Sequence, residues 1–130
     1  MKKSIIVHTE AEIGIYEEDD FTVIGLRGMT SGQHADLSLQ LGRNLDQQDI
    51  QLGFDKLYID YNQLGGYGLV KRVSLLNDTI IQITLDSDKA RRCGIPDDEL
   101  EFNFVERIES SSIDKLRLLC SSSDTAFEAR

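Results

Sequence analysis

Four stretches of this chain alternate apolar and polar residues with a period of two. Leu37, Leu39 and Leu41 stand against Asp36, Ser38 and Gln40, and Leu57, Ile59 and Tyr61 against Tyr58, Asp60 and Asn62. Ile81, Ile83 and Leu85 repeat the pattern, as do Leu100, Phe102 and Phe104 against Glu99, Glu101 and Asn103. Successive side chains of a strand leave on opposite faces, so each stretch reads as a strand with one face in a core. Upstream, Ser4 to Leu26 is rich in Ile and Val and broken by Glu17-Glu18-Asp19-Asp20, which predicts two strands joined by a charged turn. Ile13 and Ile15 alternate there with Glu12 and Gly14. Val70 to Leu75 and Thr79 to Leu85 flank Leu76-Asn77-Asp78, whose Asn-Asp pair tolerates hairpin dihedrals.

Helix signals are fewer. Asp86 or Ser87 is placed to cap a short helix near 87–93, with Arg91 and Arg92 in its last turn, Gly94 at its end and Pro96 beyond. Ser111 and Asp114 have capping-box spacing ahead of a helix near 111–120, on which Ile113, Leu116 and Cys120 share a face. Asn44 to Leu52 is too polar for a strand and reads as a helical turn or ordered loop. Gly28 to His34 has loop composition and is expected to be mobile or to face a partner, while Leu100 to Phe104 is expected to be the last strand. The fold class that follows is α+β: a twisted, mainly antiparallel sheet with the two helices packed on one side. Residues 1–120 are expected to form a single domain, and 121–130 a flexible tail unless Phe127 docks.

A length of 130 residues suffices for one core without staples. The formal net charge of -9 repels phosphate backbones, and it favours basic partners as well as solubility. Lys71, Arg72, Arg91, Arg92, Lys115 and Arg117 are scattered without interleaved aromatics, which argues against a nucleic-acid platform. The apolar run after Lys2 and Lys3 is only Ile5-Ile6-Val7, far short of a signal peptide, and nothing approaches a membrane span. Two cysteines without framework spacing fit a reducing compartment, so a cytoplasmic location is expected.

Catalytic and metal chemistry lacks its residue patterns. His8, predicted on a strand, and His34, predicted in a loop, sit in no recognisable motif. Cys93 and Cys120 read as inert core thiols, since neither stands at a helix amino terminus. The four are too scattered for zinc, and Asp46 and Asp49 lack the calcium-loop pattern around them, so no metal and no cofactor is expected. Gly65-Gly66-Tyr67-Gly68 precedes a strand where a phosphate cradle needs a helix, and reads as a turn between paired strands.

A display surface remains. Asp46 and Asp49 precede the strand Leu57 to Tyr61, Asp55 lies just before it, Tyr58 and Asp60 occupy its polar face, and Tyr67 follows in the glycine turn. Acids and tyrosines on a rigid scaffold suit contact with a macromolecule, because tyrosine gives binding area at little rotamer entropy. For each of the six the alternative role is a solvated or turn-stabilising one.

The run Leu39 to Phe104, about half of the chain, resembles the bacterial immunity protein family numbered ten. The resemblance is carried by Leu37-Ser38-Leu39-Gln40, Asp46-Gln47-Gln48-Asp49, Leu52-Gly53, Asp55, Tyr58-Ile59-Asp60, Tyr67-Gly68, the hairpin leucines and isoleucines, Ala90 to Gly94 and Leu100-Glu101-Phe102-Asn103-Phe104. Leu64-Gly65-Gly66 departs from it, standing where a more polar turn is expected, and the amino-terminal region and tail lie outside it. The resemblance implies an inhibitor that occludes a cognate toxin encoded beside it, a basic nuclease being one candidate; with the absent catalytic constellation and the acid excess it is expected to be non-enzymatic, and an exposed edge strand that can pair with its copy allows a monomer or a homodimer. Two rivals are a small-molecule-binding or accessory domain with a closed apolar pocket beside Gly65 to Gly68, and a small hydrolase using Cys93 or His34.

Overall fold

The computed structural model describes residues 5–129. Ser4, read above with the first strand, and Lys2 and Lys3, read above ahead of the short apolar run, lie outside them. Nine strands and three short helices follow in the order β1 (Ile5–Glu17), β2 (Phe21–Thr30), β3 (Gln33–Gly42), α1 (Gln47–Gln51), β4 (Tyr58–Tyr61), β5 (Leu64–Tyr67), β6 (Val70–Asn77), β7 (Ile80–Leu85), α2 (Ser87–Arg92), β8 (Glu99–Phe104), α3 (Ser110–Ser122) and β9 (Ala126–Ala129). The strands form one mixed sheet in the order β5-β4-β3-β2-β1-β8-β7-β6-β9. Neighbours run antiparallel except at β1 with β8 and β6 with β9. The architecture is α+β, as the alternation predicts.

β1 belongs to both halves of the sheet. Its first residues pair with β8, from Ile5 opposite Glu99 to His8 opposite Phe102, and its later ones with β2, from Glu12 opposite Arg27 to Glu17 opposite Thr22. The register slips in both ladders around Glu10, whose φ is 52°, as at a β-bulge that bends a strand. The bend brings the two halves into one core. Ile24, Leu39 and Ile59 from one half and Ile81, Ile83, Leu100 and Phe102 from the other are fully buried.

A polar link crosses that core. His8 is buried, stacks on Phe102 with ring centroids 4.2 Å apart, and meets Tyr61 of β4 edge-on. Its Nδ1 lies 2.9 Å from the carbonyl oxygen of Glu101, which can only accept, so Nδ1 carries the proton and donates. Nε2 then accepts from the Tyr61 hydroxyl at 2.8 Å. Burial pushes the His8 pKa down, opposed by the Glu101 hydrogen bond. Burial likewise raises the Tyr61 pKa, with the Asp97 charge adding to it. Glycine is required at position 28, because a Cβ there would stand 2.8 Å from that of His8.

Several expectations are corrected. Gly28 to His34 is not a loop: β2 runs to Thr30 and β3 begins at Gln33, with only Ser31 and Gly32 between them at φ 52° and 77°. Two positive-φ residues make the tight hairpin turn that matches strand twist, so His34 sits on a strand. Leu64 to Tyr67 is a strand paired with β4 through a turn at Asn62 and Gln63, and not a turn itself. β8 is not the last strand, and its supposedly exposed acidic row includes a buried Glu99. Ser111 lies inside the first turn of α3, whose N-cap is Glu109 with no side-chain capping bond. Asp86 caps α2 through Lys89 N–H, as expected. Leu116, Leu119 and Cys120 of α3 are buried, and Phe127 of β9 docks on the core with the Arg117 guanidinium 5.2 Å from its ring.

Candidate functional site

The outer face of β1 to β5 is built from rows of residues in register. Gly14, Gly25, Ser38, Asp60 and Gly65 lie side by side across all five strands. Tyr16, Val23, Gln40, Tyr58 and Tyr67 form the parallel row on one flank, and Glu12, Arg27 and Asp36 the row on the other. Between the row of small residues and the Glu12, Arg27 and Asp36 row lies a shallow hollow of about 420 Å³ that Asp60 also lines. In the other flanking row Tyr58 and Tyr67 meet edge-on with centroids 4.9 Å apart, and Phe54 closes on Tyr67 at 5.0 Å. Such aromatic pairs add about 0.5–1.5 kcal/mol beyond area burial and hold the rings in place. Tyr67 remains 45% exposed and Phe54 and Tyr58 are half-buried, so the cluster opens to solvent at the Tyr67 ring.

β5 reaches that position because residue 65 has no side chain. A Cβ there would stand 1.8 Å from the Ile59 carbonyl oxygen, so only glycine permits the pairing. Gly66 faces Leu69 and the Cys93 sulfur, at 3.3 and 3.5 Å from where its Cβ would be. Leu69 and Cys93 therefore occupy the space beside Gly66.

The six predicted site residues divide. Tyr58, Asp60 and Tyr67 share the outer face, the tyrosines in contact. Asp60 also fixes its own turn, accepting from Gln63 N–H at 3.0 Å. Asp46 and Asp49 form a reciprocal capping box on α1, with N–H to carboxylate distances of 2.8 and 3.1 Å. Asp55 lines a different hollow, of about 280 Å³, shared with Arg43 and Lys115. Phe54 escapes sequence reasoning because an aromatic in an irregular segment has no period to orient it. The core pair of His8 and Tyr61 escapes it as well: a histidine opposite a buried phenylalanine on a parallel strand is visible only once the register is known.

Of the histidines and cysteines, His8 and Cys120 are engaged or buried, whereas His34 is exposed and Cys93 half-buried. Both His8 nitrogens are hydrogen-bonded inside the core. Cys120 is buried and its thiol is pushed up to about 12 by desolvation, which keeps it protonated and unreactive. No helix among the described residues is long and apolar enough to cross a membrane.

No curated protein and no solved structure matches the chain. The sequence model of one family, described as Immunity protein 10, does match, and it takes in residues 9–110, reaching back through most of β1 beyond the Leu39 to Phe104 motifs. With most of its length so matched, the chain belongs to the Immunity protein 10 family.

Proposed function

We propose that this chain neutralises a cognate bacterial toxin by covering its working surface with the outer face of β1 to β5, acting as an inhibitor without catalysis of its own. The observation that carries this reading is the cluster of Phe54, Tyr58 and Tyr67, in which two rings on paired strands and a third from the turn before them pack together and Tyr67 stays open to solvent. Rings of this kind anchor interfaces because they bury much area at small entropic cost. Around them Asp60, Asp36 and Glu12 outnumber Arg27, and the whole chain carries a net charge of -9. A basic partner meets such a surface faster and in a defined orientation, and a nucleic-acid-cleaving toxin is one class with that charge. Family membership supplies the toxin as the kind of partner, and the cytoplasm of the producing cell is where such an inhibitor is needed. Asp46, Asp49 and Asp55 belong to this proposal as a secondary acidic border.

The test is co-purification with the toxin domain encoded next to this gene, together with rescue of cells that express it. Wild-type chain is expected to bind and protect. Tyr58→Ala combined with Tyr67→Ala is expected to lose both while remaining folded, and full protection by that variant would refute the assigned face.

A further inference from the structure

The second half of β1 has a neighbour on one side only. β8 accompanies β1 as far as Ala11 opposite Phe104 and then turns away, while β2 continues beside Glu12 to Glu17. Among the described residues no strand takes the place of β8 along those six positions. The core is open there as a result. Ile13 and Ile15 point inward and pair with Leu26 and Ile24, which are 3% and 0% exposed, yet both isoleucines are only half-buried. α3 touches this edge at its end, where Lys115 holds Glu17 at 2.6 Å. The outermost strands β5 and β9 have four residues each, so this inner edge is longer than either terminal one.

A groove of about 900 Å³ meets this edge at Glu12 and Ile13 and continues from there along the end of β8 and the segment after it. Phe104, Val105 and Ile13 give it apolar walls, and Val105 is 75% exposed, more than any other large apolar side chain described. Four carboxylates line it: Glu10 and Glu12 from β1, Glu106 and Glu109 from the segment after β8. Its two arginines are already engaged, Arg27 by Asp36 and Arg107 by Asp78, each at 2.7 Å. The groove therefore carries an excess of negative charge over an apolar floor, beside an unused row of backbone donors and acceptors.

We propose that this edge and groove receive an extended segment of the toxin, added as a strand beside Glu12 to Glu17, with apolar residues alternating with lysine or arginine. The alternation follows from the pleat. Successive side chains of an added strand leave on opposite faces, one toward Ile13 and Ile15, the other toward the glutamates. Six positions span about 20 Å at roughly 3.3 Å per residue. The identity of the occupant rests on the toxin-binding reading above, whereas the open edge stands on the register alone.

Hydrogen exchange of the full chain, alone and with the toxin domain encoded by the adjacent gene, tests the assignment. The alternate amides of residues 12–17 that point away from β2 are expected to exchange readily in the free chain and to become protected in the complex. Val105→Asp and Glu106→Lys, both at exposed positions, are expected to weaken the complex about tenfold or more without changing the melting temperature. A complex that protects only the Tyr58 and Tyr67 face, with both variants binding as wild type, overturns the strand-addition proposal and leaves toxin binding standing. Failure of the wild-type chain to bind that toxin overturns both. Concentration-dependent protection of 12–17 in the chain alone assigns the edge to a second copy and excludes the toxin as its occupant.

Discussion

Tyr58 and Tyr61 sit on the same four-residue strand and serve opposite ends. Tyr61 faces inward, is 7% exposed and gives its hydroxyl to buried His8, joining the two halves of the sheet. Tyr58 faces outward and meets Tyr67 edge-on and, through it, Phe54. The same residue type thus joins the core on one face and, in the proposed function, meets the partner on the other. A change at the inner site should unfold the protein, and a change at the outer site should leave a folded protein that fails to bind.

The change that breaks the comparison hardest is Gly65→Ala. Its Cβ would collide with the Ile59 carbonyl, forcing β5 away from β4 and dissolving both the inner packing of Gly66 and the outer position of Tyr67. A loss of about 3 kcal/mol or more is expected in denaturant titrations, with toxin binding lost alongside. Wild-type stability in this variant would mean that β5 does not pair as described.

His8→Ala separates the regions. It opens a cavity against Phe102 and leaves the Tyr61 hydroxyl and the Glu101 carbonyl without their partner, a loss of about 2–4 kcal/mol. At temperatures where the variant is folded, toxin affinity should match wild type. The complementary double variant Tyr58→Ala with Tyr67→Ala should weaken binding by about 2 kcal/mol, roughly 30-fold in Kd, at a cost in stability below about 1 kcal/mol. Calorimetric titration and thermal melts on the same samples decide between the two patterns.

A smaller effect comes from pH. The folded state holds His8 below its ordinary pKa of 6.5, so the unfolded chain binds the proton first as pH falls. The stabilisation is complete above 6.5 and is lost as pH drops from there through the lowered folded value. Melts of wild type should therefore show a slope beginning near pH 6.5 that His8→Gln flattens. Equal slopes in both proteins would assign the titration to other groups.

The strands were legible because period-two alternation reports burial directly, and β3, β4, β7 and β8 all follow it. Asp86 and Gly94 announced α2 by their chemistry. What failed was glycine and serine content read as loop: Ser31-Gly32 is the tip of a hairpin, and Gly65-Gly66 lies in a strand that demands small residues by close approach. A composition of that kind reports backbone freedom or missing side chains, and sequence alone does not say which. The outer face was half legible. Tyr58, Asp60 and Tyr67 follow from alternation and proximity, but the row of Gly14, Gly25 and Ser38 beside them depends on register between strands far apart in sequence. The open edge of β1 depends on where β8 stops.

Asp46 offers the finest division between the two roles. Its carboxylate accepts from Asp49 N–H, while the Asp49 carboxylate accepts from Asp46 N–H, so it is a helix cap that also carries a negative charge. Asparagine caps a helix about as well as aspartate, whereas alanine gives up roughly 1 kcal/mol. Asp46→Asn should then keep the stability that Asp46→Ala loses. If both variants bind the toxin as wild type does, Asp46 serves the fold alone. If Asp46→Asn lowers the association rate, and the deficit shrinks with added salt, the charge itself steers the partner.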